Sequence, residues 1–263
     1  MVKVAVSGAL GRMGRTVLKA VLDDKDLTLV AAVDVQGGAD VGELIGQSKT
    51  GICVQTDLAQ ALATAKPEVL VDFTQPQVVF HDAEIALRHH VIPVIGTTGM
   101  REDGLTRLRQ LCAEEKTPAF VAPNFAIGAV LLMQMCQKAV KYLPNVEIIE
   151  LHHDNKLDAP SGTAIRTAQM MLEVRGERKQ GHPDEKETLK GARGAELGGI
   201  RIHSVRLPGY VAHQEVIFGG LGQTLTIRHD SMNRESFMPG VVLACKKAKS
   251  LTGLVVGLEN LLD

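Results

Sequence analysis

Over the first 122 residues, short β-branched apolar runs alternate with stretches whose apolar positions recur at helical spacing. Such alternation marks βαβ units that feed a parallel sheet. The predicted strands are Lys3 to Ser7, Leu27 to Asp34, Ile52 to Gln55, Val69 to Phe73, Val91 to Ile95 and Ala119 to Ala122. Val17, Leu18, Val21 and Leu22 give one apolar face to a helix between the first two. Near Pro123 the rhythm changes. A long apolar helix is predicted from Ile127 to Leu143, then a strand from Val146 to Leu151 and a helix from Ser161 to about Glu173. Arg175 to Arg193, rich in Lys, Glu and Gly, reads as a solvated, mobile loop. From Ile200 to His229 the pattern is strand, turn, strand, strand, with turns marked by Pro208-Gly209 and Gly219-Gly220. A final helical part starts near Arg234 and is free to return over the first domain. The fold class is therefore α/β, a doubly wound parallel sheet plus a second α+β domain.

Composition narrows the function. A chain that is 45% hydrophobic and 22% charged, with a formal net charge of −1, has no field to gather nucleic acid or an anionic membrane. It has no Trp and two Tyr, so the stacking platforms of single-strand binders are missing too. The cysteines Cys53, Cys112, Cys136 and Cys245 form no C-x-x-C pair, lie in apolar segments, and read as reduced thiols. No apolar run approaches the length of a membrane span, and Met1-Val-Lys-Val opens as a strand without a charged leader. A cytoplasmic protein is expected, or a plastid one in a processed plant form.

Gly8-Ala-Leu-Gly-Arg-Met-Gly14 follows the first strand and opens a helix. Glycines there let backbone N–H groups approach a pyrophosphate at a helix start. The spacing is GxxGxxG, and Asp34, at the end of the second strand, lies 20 residues beyond Gly14, where a carboxylate accepts from an adenosine ribose. That carboxylate repels a 2′-phosphate, and Val35-Gln36 supplies no neighbouring cation, so NADH is favoured. Arg12 and Arg15 keep NADPH possible. At later strand ends, Gly96-Thr-Thr-Gly99 offers hydroxyls and open backbone to a nicotinamide ribose, and Ala122-Pro-Asn-Phe125 offers an amide and a ring.

Glu150-Leu-His-His-Asp-Asn-Lys-Leu-Asp-Ala-Pro-Ser-Gly-Thr-Ala164 is the densest polar stretch. Asp158-Ala-Pro-Ser-Gly-Thr reads as a helix entrance with Ser161 as N-cap, and Gly162 and Thr163 follow with open N–H groups. A helix start beside the Lys156 ammonium makes a carboxylate site. His152, His153 and Asp158 are also zinc-ligand types, but adjacent histidines at a strand end diverge and no third His or Cys joins them, so no metal is expected.

These motifs, with Asp72-Phe-Thr74 and above all His152-His-x-x-Lys156-x-Asp-Ala-Pro-Ser-Gly-Thr-Ala164, resemble the 4-hydroxy-tetrahydrodipicolinate reductase (dihydrodipicolinate reductase) family of bacterial and plant lysine synthesis, in order and over nearly the whole chain. The resemblance implies a Rossmann domain (1–123 with 234–263) closed by the C-terminal helix, a substrate-binding and tetramerisation domain (124–233) with a mixed sheet, and a homotetramer. It implies NAD(P)H-dependent reduction of a cyclic dicarboxylate, with His152 and Lys156 catalytic. Substrate contacts would be His153, Ser161, Gly162, Thr163 and Thr97. The cofactor would lie on Gly8, Ala9, Leu10, Gly11, Arg12, Met13, Asp34, Gly96, Thr97, Thr98, Ala122, Pro123, Asn124 and Phe125. Val35 stands where that family often carries Arg, which again favours NADH. A two-domain dehydrogenase of another amino or keto acid, and a non-enzymatic dinucleotide sensor, are the rival readings. Neither has a use for the whole H-H-x-x-K and S-G-T-A combination.

Overall fold

The computed structural model describes residues 1–262. In chain order the elements are β1 (Val2–Ser7), α1 (Arg12–Asp23), β2 (Leu27–Val33), α2 (Val41–Leu44), α3 (Leu58–Ala65), β3 (Val69–Asp72), α4 (Val79–Arg88), β4 (Ile92–Ile95), α5 (Glu102–Glu114) and β5 (Ala119–Val121). They continue with α6 (Ile127–Ala139), β6 (Asn145–His152), α7 (Gly162–Arg175), β7 (Ala195–Leu197), β8 (Ile200–Arg206), β9 (Ala212–Gly220), β10 (Gln223–Ser231), α8 (Met238–Lys247) and β11 (Leu254–Val256). The chain forms two compact units, one of Met1–Ile127 with the stretch from Arg234, the other Gly128–Asn233.

The first unit is a parallel six-stranded sheet in the order β11-β5-β4-β3-β1-β2. β3 and β4 are buried throughout, which is why Val69-Leu-Val and Ile92-Pro-Val-Ile read as unbroken apolar runs. From β1 the chain goes first to β2 on one side and then to β3 on the other. Right-handed crossovers then put the helices on opposite faces and open a crevice beyond the C-terminal ends of β1 and β3. Leu58, Ala61 and Leu62 of α3 and Ala86 of α4 pack on Ala31, Val33 and Leu70, while Leu108, Leu111 and Cys112 of α5 pack on Ile95, Ala119 and Val121. α8 lies against α1, β1, β3 and β4.

The second unit has a mixed sheet in the order β10-β9-β6-β8-β7, in which only β6 and β8 are parallel. Along β6, Val146, Ile148 and Glu150 are buried and Glu147 and Ile149 half-buried, so alternate residues face the core. Ala164, Thr167, Ala168 and Met171 form the buried stripe of α7.

Several expectations need correction. Ile52 to Gln55 is no strand. It makes isolated bridges, Asp40 to Cys53 and Val33 to Gln55, because the loop wraps the Asp40 carboxylate, which accepts from the N–H groups of Gly42, Thr50 and Gly51 at 2.8, 3.0 and 2.8 Å. Cys53 is exposed there, while the other three cysteines are buried. α6 stops at Ala139 and not at Leu143, since a residue before proline, here Leu143 before Pro144, is disfavoured in helical geometry. Gly219-Gly220 ends β9, and Leu221-Gly222 makes the turn. β7 and β11, three residues each, carry too few alternations to be read from the sequence. The 176–194 tract has no regular element and is tied down by Arg193, which pairs with Glu147 at 2.6 Å and Glu185 at 3.0 Å.

The start of α1 rests on close backbone contact. A Cβ on Gly14 would lie 1.9 Å from the Gly8 carbonyl oxygen, whereas one on Gly162 would meet nothing within 4 Å, and neither residue has positive φ. Gly14→Ala should therefore lower the thermal midpoint by roughly 2–12 °C, the effect of about 1–3 kcal/mol of overpacking in a chain of this size. Gly162→Ala should stay within about 2 °C of wild type. Thermal scans of the two variants check this, and equal effects would refute it.

Candidate active site

Beyond β1 the chain turns at Gly8, whose φ of +81° is open to glycine. Gly8 and Ala9 donate their N–H groups to the Val33 carbonyl, Gly11 to Gly8, and Leu10 to Asp34 Oδ2 at 2.8 Å. Asp34 Oδ1 accepts from Val35 N–H at 2.7 Å. The loop is thus fastened to the end of β2, with Asp34 held in place just after that strand. The first intrahelical bond of α1 runs from Arg15 N–H to Gly11. The N–H groups of Arg12, Met13 and Gly14 precede it, at a helix start with no side-chain cap and no acidic residue in its first turn. Free N–H groups at a helix start of this kind can hold an anion through the helix dipole.

A cleft of about 560 Å³ opens here, lined among others by Gly8, Leu10, Gly11, Asp34, Val35, Gln36, Thr56, Thr74 and Asp82, with no Lys or Arg in its wall. Arg12 is exposed, and Arg15 turns its Nε to the Leu10 carbonyl. A second hollow, sharing Phe73 and Thr74, runs on past Met13, Gly96, Thr97 and Thr98. Gly96 lies against the Phe73 ring, where a Cβ would sit 2.2 Å from ring carbons. That ring packs on Phe125 at 5.8 Å, and Phe125 on Phe120 at 6.0 Å.

Two expected ligand contacts have their side chains engaged inside the protein. Thr97 is buried and its hydroxyl donates to Asp72 Oδ1 at 2.7 Å, so it is Thr98, exposed, whose hydroxyl is open. Phe125 is 2% exposed, a core ring that holds the loop and not a stacking surface. Ala122 is also buried, Pro123 is exposed, and Asn124 Oδ1 accepts from Ala126 N–H in a tight turn.

Asp72 is the group that sequence reasoning left without a role. Its Oδ1 accepts from Thr97, from the Thr74 hydroxyl at 2.8 Å and from Thr74 N–H at 3.0 Å. Burial pushes its pKa up to about 6 against these donors, and Asp82 adds to the rise.

The second cluster lies wholly in the other unit. His152 is the last residue of β6, and Glu150, two residues earlier on the same face, reaches its Nδ1 at 2.5 Å. Glu150 is fully buried and also takes a two-pronged pair from Arg206, Nη1 to Oε2 at 2.8 Å and Nη2 to Oε1 at 2.7 Å, and the Ser161 N–H at 3.2 Å. Burial works to raise its pKa, but the bonds from His152, Arg206 and Ser204 outweigh it and hold it at about 2. An ionised Glu150 fixes the proton on His152 Nδ1 and leaves Nε2 as the outward atom.

His153 is exposed and begins a turn closed by Lys156 N–H to its carbonyl. Lys156 Nζ pairs with Asp158 at 2.6 Å. After the cis Ala159–Pro160 bond, Ser161 caps α7, its Oγ accepting from Ala164 N–H at 3.2 Å. The N–H groups of Gly162 and Thr163 stay uncapped at a start with no acidic residue in its first turn. Sequence reasoning missed Glu150 and Arg206 as site residues. A Glu two residues before the histidine was a signal for the first, but Arg206 reaches it only through the β6–β8 register. Among the described residues, no group of three or more His, Cys, Asp or Glu is arranged to hold a metal ion.

Comparison with known proteins agrees across the whole chain. Residues 2–125 match the family model described as dihydrodipicolinate reductase, N-terminus, and residues 128–262 its C-terminus. The 4-hydroxy-tetrahydrodipicolinate reductase of Desulfitobacterium hafniense (strain Y51) is 54% identical over 264 residues, covering 100% of this chain and 99% of its own. That of Listeria welshimeri is 56% identical over 262 residues, 99% and 100% of the two chains. The dipicolinate-bound dihydrodipicolinate reductase from Paenisporosarcina sp. TG-14 superposes with a TM-score of 0.90 at 48% identity and full coverage of both chains. The amine dehydrogenase from Mycobacterium smegmatis, at 15% identity and a TM-score of 0.68 over 97% of this chain and 94% of its own, shares the fold. With both halves of its length matched and relatives above half identity end to end, the chain belongs to the dihydrodipicolinate reductase family.

Proposed function

We propose that the chain reduces 4-hydroxy-tetrahydrodipicolinate, by way of its dehydrated cyclic imine, to tetrahydrodipicolinate, a step of diaminopimelate and lysine biosynthesis. The reaction needs a hydride at one ring carbon, a proton at its neighbour, and partners for two carboxylates. The observation that carries the reading is the union, within Glu150 to Ala164, of an oriented histidine, a lysine ammonium and a helix start whose Gly162 and Thr163 N–H groups take no cap. Gly162 adds to it. The fold does not require glycine there, so the missing Cβ suits the close approach of a ligand.

The N-terminal cleft fits a nicotinamide dinucleotide. Arg12, Met13 and Gly14 N–H groups would hold its pyrophosphate and Asp34 its adenosine ribose, with Gly96 and Thr98 nearer the nicotinamide. When bound, that cofactor supplies the hydride. A carboxylate at Asp34 and a wall without Lys or Arg favour NADH over NADPH.

In the second unit, Gly162 and Thr163 bind one substrate carboxylate through the start of α7, and His153 and Ser161 border the same place. Lys156 exchanges Asp158 for the substrate and donates the proton. His152, oriented by Glu150, presents Nε2 to the ring. The chain works as a homotetramer assembled through its mixed sheet, a reading supported by Ile149 and Leu151, apolar and partly exposed on the outer face of β6. Among the described residues, no helix is long and apolar enough to cross a membrane. The cytoplasm is the proposed location.

Steady-state kinetics with both cofactors should give kcat/KM for NADH equal to or above that for NADPH, and Asp34→Ala should weaken NADH more than NADPH. A marked NADPH preference in the wild type would refute the cofactor choice alone. Light scattering should report the mass of four 28.2 kDa chains; a monomer would refute the assembly.

Lys156→Ala should lower kcat by roughly 10²- to 10⁴-fold while NADH affinity stays within about two-fold. Near-wild-type kcat would remove Lys156 from the chemistry. Thr163→Val should chiefly raise KM, since its contact serves ground and transition states alike. Glu150→Gln should lower both kcat and stability, the latter by about 3–5 kcal/mol because Arg206 keeps an unpaired charge. Adding Arg206→Met should restore the thermal midpoint and not kcat, which separates the orienting of His152 from structural support. Recovery of both would leave Glu150 a structural role only.

A further inference from the structure

Asp72 is 1% exposed at the end of β3, and its two oxygens differ sharply. Oδ1 has three donors, while Oδ2 is buried without any. Across the β1–β3 pair from Asp72 stands Ser7, which brings in a second carboxyl group, that of Asp82 in the first turn of α4. Asp82 accepts the Ser7 hydroxyl at 2.9 Å and lines the dinucleotide cleft. Among the described residues, no Lys or Arg pairs with either acid. Their other partners are the hydroxyls of Ser7 after β1, Thr74 after β3 and Thr97 after β4, and the charged neighbour acting on Asp82 is His81, exposed on α4. Two neighbouring carboxyl groups, one buried and one partly so, cannot both ionise cheaply, and one proton between them would give Asp72 Oδ2 the partner it lacks.

We propose that Asp72 and Asp82 share one proton, that the pair is a positioning element fixing Thr74 and Thr97 under the cofactor, and that dinucleotide binding is coupled to uptake of that proton. The proposal rests on assigning the cleft to the dinucleotide. Burial raises both acids, Asp72 to about 6, so the free protein loses the shared proton as pH rises through about 6. The pyrophosphate brings further negative charge to the wall that Asp82 forms, which favours the protonated pair and draws the proton back. The sign follows: a ligand that prefers the protonated form binds more weakly as pH rises above the free pair's pKa.

The test is calorimetric titration of the full-length protein with NADH between pH 5.5 and 8.5, in buffers of different ionisation enthalpy. Wild type should take up a substantial fraction of one proton near pH 7, and its Kd should weaken about three- to ten-fold from pH 6 to pH 8. Asp82→Asn, whose amide can donate to Asp72 without titrating, should abolish the uptake and flatten the profile. His81→Gln should keep both, which separates the pair from the nearby imidazole. Tight NADH binding with no proton uptake, or uptake unchanged in Asp82→Asn, would overturn the coupling alone. Failure of NADH to bind at any pH would overturn the cleft assignment and the coupling with it.

Discussion

A carboxyl group buried at the end of a strand must find its partners inside the protein, and both sites of this chain are built around that requirement. Glu150 and Asp72 are buried to a similar degree, yet their neighbours drive them in opposite directions. Glu150 meets a guanidinium and stays ionised to about pH 2. Asp72 meets hydroxyls, one backbone N–H and another acid, and retains its proton to about pH 6. The ionised group can hold an imidazole in one tautomer, and the other, protonated only below about pH 6, fastens the loops after β3 and β4 through Thr74 and Thr97.

Steric constraint works beside the electrostatic one. Gly14 against Gly8, Gly8 against the Phe73 carbonyl and Gly96 against the Phe73 ring bring the loops after β1, β3 and β4 into backbone contact. Gly240 extends the same packing, for its Cβ would lie 2.1 Å from the Phe125 carbonyl oxygen. The C-terminal helix thus fits against the loop after β5, and helices remote in sequence hold one crevice together. Gly162 is the contrast: with space around it and an ordinary φ, its side-chain absence serves nothing within the fold.

Most of this organisation was legible where a local pattern carried it. The parallel sheet follows from buried apolar runs such as Val69-Leu-Val, and Ser161 is the cap that its S-G-T context implied. What stayed hidden depended on partners distant in the chain. Arg206 reaches Glu150 because β8 pairs with β6 in a register that sets it beside His152, and nothing around Arg206 announces that. The Thr97 hydroxyl was assigned outward because its sequence neighbours suggested a ligand loop, whereas Asp72, 25 residues earlier, takes it inward. The segment Ile52 to Gln55 looked like a strand by composition, but the side chain of Asp40 organises it as a loop.

The two sites also differ in how they meet anions, and the difference suits their proposed ligands. The cleft proposed for the dinucleotide has no Lys or Arg in its wall and offers oriented N–H groups, which contribute partial charge without a mobile side chain. At the other site a lysine stands beside a helix start, so partial and full positive charge act together. A cofactor that only has to be held is served by fixed dipoles, which cost no reorganisation. A substrate that must also receive a proton needs a group that can let one go, which is the role proposed for Lys156 beside the charge that attracts a carboxylate.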